Sequence, residues 1–401
     1  MNKKYYPAAI ILYLNYFIHG VGCSILGQSV IKEALATSWG VEVMSITAIS
    51  AALGLGRLIA LPFAGPLSDK LGRRISVVIG GASYAIYLIG LALAFNAGTN
   101  GGYQIAYICA IIGGIANSFL DTGIYPAVAE IISEAPGVAT MGIKFFIAIS
   151  QMLLPFFLGA TVATTATGLV SYNRLFYICG IAYIVLLVLI FLLPLPDSDA
   201  SATEKKEGLI ESLKHTHFSF ESIAMILIGF TCTGTFQLWL NCAQNYAKTN
   251  VGWEDPSIMQ TYYSMGTILA LIVTALLTRK IKDVRFIVAY PVICLVTLIL
   301  VLANPSVGMC KVAAFIIGWA GAGGLLQIAT SVCNMLFPKI KGTVTALVMI
   351  ASSLCNYTIL TAASQMTPSG VMVMNIVLTA IGVLLGLFVN LRYTKMVEAN
   401  S

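Results

Sequence analysis

The chain is cut into blocks of roughly twenty apolar residues, and that feature limits its fold more than any other. Such blocks match a hydrocarbon core about 30 Å thick. Lipid offers no hydrogen-bond partners, so each block must satisfy its own backbone, and strong blocks of this length imply helices rather than barrel strands. Charge is scarce enough to agree: Asp, Glu, Lys and Arg make up 9% of 401 residues, against about 25% in soluble domains. The expectation is an all-α membrane protein with spans near 7–31, 42–65, 74–96, 103–129, 138–165, 174–194, 221–247, 257–279, 284–303, 309–336, 342–366 and 369–391.

One long polar stretch, 195–220, mixes both charge signs with Ser, Thr and Pro and reads as a cytoplasmic linker. It divides the chain into an N-terminal six-helix bundle, 1–194, and a C-terminal bundle with a short tail, 221–401. No sequence repeat is visible, although equal halves are what a duplicated six-helix unit leaves. Lys and Arg set the orientation. With the N-terminus cytoplasmic, seventeen basic residues fall on inner segments, Lys144 among them, and four (Lys32, Arg174, Lys248 and Lys311) on outer ones. Both termini are expected inside the cell, in the plasma (inner) membrane. The same count explains the net charge of +6 without a nucleic-acid partner.

The nine cysteines are scattered singly with no CxxC or Cys/His spacing, so neither a disulfide framework nor a metal site is implied. The phosphate-binding GxxxxGK[ST] loop and any catalytic triad order are missing from the sequence, so neither ATP, a cofactor nor enzymatic chemistry is expected.

The loop after the second span reads GPLSDKLGRR. Its Gly65, Asp69, Lys70, Gly72, Arg73 and Arg74 resemble the signature loop of the major facilitator superfamily (MFS). Gly65 and Gly72 are expected to permit a tight turn and close helix approach, and Arg73 to hold Asp69. The resemblance implies two pseudo-symmetric six-helix bundles and alternating access, with this loop as a cytoplasmic gating latch. The second-half counterpart, Thr278 to Arg285, is basic but degenerate. Two family motifs are missing: the helix-four Arg, where Asp121 stands instead, and the helix-five Gly-Pro cluster of drug antiporters, where only Pro155 is found. The second absence points away from multidrug efflux and toward uptake.

Ionisable groups at membrane depth are expensive and mark partners or cavities. Arg57 lies eight residues before Gly65, and Asp121 nine before Glu130, placing both about 12–13 Å from the cytoplasmic side at 1.5 Å per residue. They are expected to pair or to share a site. Either Asp121 takes up a driving proton with Arg57 beside it, or the two form a permanent structural bridge. Polar residues at helical spacing supply the other candidates for substrate or proton binding: Asn15 and His19; Asn117 and Tyr125; Gln151; Gln237, Asn241, Gln244 and Asn245; Gln327; and Asn356. The resemblance implies that helices one, four, seven and ten line the cavity, and most of these stripes lie there. Each amide could equally be helix–helix glue.

The expected function is secondary active transport, a monomer carrying a small polar or anionic metabolite inward with a proton. An exporter is the alternative, and a non-transporting sensor a more distant one.

Overall fold

The computed structural model describes residues 3–195, 220–277, 280–336 and 341–400. The side chains of Gln327 and Asn334 and the proposed 195–220 linker, apart from its two end residues, lie outside that description. Among the described residues fourteen α-helices follow one another: α1 Tyr6–Ser24, α2 Ser29–Trp39, α3 Thr47–Leu71, α4 Arg73–Ala97, α5 Gly102–Ile131, α6 Pro136–Thr161, α7 Asn173–Leu192, α8 Phe220–Val251, α9 Met259–Leu277, α10 Asp283–Ala303, α11 Val307–Ile316, α12 Leu325–Leu336, α13 Lys341–Ala363 and α14 Pro368–Asn400. Ten are long and apolar enough to cross a membrane. The 19-residue α9 and the broken run α11–α12 complete twelve spans. A two-residue hairpin, Ala163–Thr164 with Val170–Ser171, is the one sheet among the described residues.

Two spans differ from the expected single rods. The first stops at Ser24, passes through a 3₁₀ turn at Ile25–Gly27, and resumes as α2 to Trp39. Lys32 therefore does not stand in an outer loop. It is fully buried in α2, its Nζ 2.7 Å from Thr47 Oγ1. The tenth widens into a π-helical turn over Ile317–Ala322 before Gly323 and Gly324 end it. Small residues there leave the backbone unshielded by side chains, the circumstance in which helices bend.

The chain divides into two compact units, Met1–Glu204 and Lys205–Ser401. Each carries the same helix crossing. In the first, α3 and α5 meet at Gly56 and Gly114: a Cβ on Gly56 would lie 1.9 Å from the Ile111 carbonyl, and one on Gly114 2.0 Å from that of Leu53. In the second, α9 meets the run of α11 into its π-helical turn at Gly266 and Gly318, where added Cβ atoms would lie 2.0 Å from the carbonyls of Phe315 and Tyr263. In all four cases the carbonyl belongs to the residue three before the opposing glycine. The duplication that the residue letters conceal survives in the backbone, because only glycine lets two helices approach this closely.

Polar groups tie three helices of the second unit together. Thr233 donates to Ser352 at 2.8 Å, Asn375 Nδ2 donates to the Thr235 carbonyl at 3.1 Å, and the hydroxyls of Thr235 and Thr379 are 2.8 Å apart. This tie of α8 to α13 and α14 is buried and internally satisfied, so it is packing rather than a site.

Candidate functional site

The α3–α5 crossing builds the charged site. Because Gly56 and Gly114 bring the backbones together, Ser118 can donate to the Arg57 carbonyl at 3.1 Å. Arg57, next after Gly56, then faces Asp121, two turns beyond Gly114. Arg57 Nη2 lies 2.8 Å from Asp121 Oδ2, and the side chains are 24% and 29% exposed. The pair is neither sealed nor fully wet.

Helix α1 closes the other side. Tyr16 is 1% exposed and donates its hydroxyl to Asp121 Oδ1. Both carboxylate oxygens are thus held by donors from two different helices. His19, one turn on, lies between the rings of Tyr16 (5.2 Å) and Tyr84 (5.1 Å). Tyr125 packs edge-on against Tyr16 at 5.6 Å, and the Lys144 ammonium of α6 sits 5.9 Å from the centre of the Tyr125 ring.

Several polar atoms around this cluster are buried with no protein partner: His19 Nδ1, Arg57 Nε, Asn117 Oδ1 and Asn15 Oδ1. An unpaired buried polar atom costs about 1–3 kcal/mol, and folds rarely tolerate several together without a use for them. Asn15 is otherwise engaged: its Nδ2 donates to the Ile11 carbonyl at 2.8 Å, and its own carbonyl accepts from Tyr183 at 2.8 Å.

Gln151 does not join the cluster. Its Nε2 donates to Ser24 Oγ at 2.6 Å and lies 3.5 Å from Cys23 Sγ, so it clamps α6 onto the break in the first span. In the second unit Asn241 Nδ2 donates to Gln237 Oε1 at 3.1 Å, and Gln244 shares a small cleft with Trp239, Gln260 and Tyr263. Asn245 Oδ1, Asn356 Oδ1 and Trp319 Nε1 are buried without protein partners. Ser331, which shares a helix-ten stripe with Gln327, instead donates to Asp283 Oδ2 at 3.0 Å.

The signature loop is compact. Gly72 joins α3 to α4 at φ +92°, a conformation that strains any residue with a Cβ. Arg73 lies 2.6 Å from Asp69 Oδ1, 3.5 Å from Glu130 Oε1 and 3.1 Å from Ser68 Oγ. One guanidinium thereby joins the C-terminal ends of α3 and α5 to the start of α4. Arg74 donates to the carbonyls of Phe191 and Leu193 at 3.1 and 3.0 Å, adding α7. Gly65 differs from expectation. It lies within α3 and nothing comes within 4 Å of a Cβ built there, so it provides neither the turn nor a close approach.

Two participants escape the polar-stripe pattern. Tyr16 is three residues before His19 and so on its face, but its apolar ring hides it among membrane aromatics. Lys144 scores as one more inner positive charge. Yet it lies eight residues into α6, about 12 Å at 1.5 Å per residue, the depth of Asp121.

Comparison with known proteins agrees with this architecture. The sequence pattern of the Major Facilitator Superfamily matches residues 12–357. The uncharacterized MFS-type transporter YfkL of Bacillus subtilis is 31% identical, with 97% of each chain covered. The inner membrane transport protein YdiM of Escherichia coli is 30% identical over 100% of this chain and 98% of its own. The quinolone resistance protein NorA of Staphylococcus aureus is 24% identical over 85% of this chain and 90% of its own. Among solved structures, the E. coli xylose transporter XylE in an inward-open conformation superposes with a TM-score of 0.73 at 18% identity, covering 96% of this chain and 95% of that one. With its signature loop, its twelve spans and these relatives in agreement, the chain belongs to the major facilitator superfamily of membrane transporters.

Proposed function

We propose that the chain is a proton-coupled symporter that takes up a small polar or anionic metabolite by alternating access, as a monomer in the plasma membrane with both termini cytoplasmic. The carrying observation is the partly exposed Arg57–Asp121 pair with a second donor, Tyr16, on the remaining carboxylate oxygen. A purely structural bridge has no need of water access: sealing strengthens its attraction while desolvating both ions. A proton site needs water access and a conformational contact that changes with its charge. Asp121 supplies both. When ionised it holds α1 and α3 through Tyr16 and Arg57, and when protonated it holds them less strongly. Solved neighbours at TM-score 0.73 include a structure titled D-xylose-proton symporter, which supports the fold's capacity for such coupling.

Export is the second reading, and the similarity to NorA is what favours it. The two separate in proteoliposomes with an imposed proton gradient, screened over sugars, organic acids and amphiphilic drugs. Saturable inward movement of a metabolite down the proton gradient supports uptake; extrusion of hydrophobic cations overturns it.

A further inference from the structure

The cluster in the first unit is electrically unbalanced. Arg57 and Lys144 contribute two positive charges and Asp121 one negative, and the groups facing them from the packed helices, Tyr16 and His19 on α1, Tyr84 on α4 and Tyr125 on α5, add no formal charge near neutrality with His19 neutral. A residual positive charge at membrane depth is costly without a counter-charge. The donor set is also incomplete: Arg57 Nε is buried with no partner, and so is His19 Nδ1 on the helix opposite. Carboxylates suit a guanidinium because its parallel N–H groups can donate to both oxygens at once. In this structure Arg57 donates to only one oxygen of Asp121, through Nη2.

We infer that the solute carries a carboxylate, and that it competes with Asp121 for Arg57. With Asp121 ionised, Arg57 is engaged and the excess is one positive charge. When a proton adds to Asp121, the carboxylic acid releases the guanidinium, the excess becomes two, and the solute's carboxylate takes the vacated donors with Lys144 adding attraction. Proton and anion therefore bind cooperatively, and one of each moves without net charge. The inference rests on the reading of Asp121 as the proton acceptor and adds the chemical class of the substrate.

The test is thermal unfolding of the purified full-length protein with lactate, benzoate and gluconate, each against its neutral amide. D121N mimics the protonated acid. At neutral pH the carboxylates should stabilise D121N at about tenfold lower concentration than wild type, the amides should not discriminate, and R57Q/D121N, whose pair is neutral, should lose the effect. The wild type titrated from pH 8 to about 5 reads the same coupling should D121N fail to fold: carboxylates should gain on amides as the pH falls. Carboxylates and amides acting alike on D121N, or equal responses of D121N and R57Q/D121N, overturn the anion site. Retention of proton-coupled uptake by D121N in vesicles overturns the proton reading instead, a separate measurement with a separate answer.

Discussion

Gly114→Ala should disable transport through a separation of helices that can be sized from the structure. A Cβ there would lie 2.0 Å from the Leu53 carbonyl oxygen and 2.7 Å from Arg57 N, and both obstacles are backbone. Restoring an ordinary contact of 3.4 Å to that oxygen moves α3 from α5 by about 1.4 Å. Applied to the 2.8 Å Arg57–Asp121 contact, that displacement carries it to about 4.2 Å, beyond hydrogen-bond reach. Overpacking of this kind costs about 1–3 kcal/mol. At about 2–4 °C per kcal/mol for a unit of this size, the midpoint should fall by several degrees. Gly318→Ala is the matched control, for its Cβ would meet the Tyr263 carbonyl at 2.0 Å while leaving Arg57 and Asp121 untouched. Both variants should lose similar stability in a detergent unfolding assay. Only G114A should also lose the coupling of uptake to the proton gradient. A wild-type midpoint for G114A, or equal loss of coupling in both variants, refutes the argument.

Asp121→Asn should abolish proton-driven accumulation while leaving solute exchange across the membrane, measured in vesicles with and without a gradient; intact accumulation sinks the coupling role. Tyr16→Phe removes a charge-assisted bond worth about 1.5–3 kcal/mol when buried and less at this half-wet carboxylate; uptake-versus-pH curves should shift relative to wild type, whereas superimposable curves would show that the hydroxyl only packs. Gln151→Leu strips Ser24 of its 2.6 Å partner at the break in the first span, so unfolding should come earlier by about 1–3 kcal/mol, and an unchanged midpoint would mean the break needs no clamp. Arg73→Gln leaves Asp69 and Glu130 without their shared cation; because these groups are partly exposed the stability loss should stay near 1 kcal/mol or below, while the maximal uptake rate falls more than the half-saturation concentration changes.

Much of the site was legible at the level of depth. Counting residues back from Gly65 and Glu130 puts Arg57 and Asp121 at one height, and the two do pair, although Gly65 lies inside α3 rather than at its end, so the count itself rests on a misplaced helix end. The same count was available for Lys144, but its charge was already explained by topology, and one explanation hid another. Gln151 shows the converse. Its amide looks identical to those of Asn117 or Asn245 in a stripe, and only its neighbours reveal that it is already bonded to Ser24 while their oxygens are not.

The sequence by itself determined that the chain spans a membrane twelve times and belongs with transporters, since apolar block length and the spacing of Gly65 to Arg74 are local properties. Tertiary structure decided which polar groups meet. Rotation about each helix axis and the crossing at Gly56 and Gly114 place Tyr16 and Arg57 on one carboxylate, with Lys144 over the neighbouring Tyr125 ring. No spacing along one chain segment encodes that, because Tyr16, Arg57 and Lys144 come from three helices whose mutual orientation is set by packing.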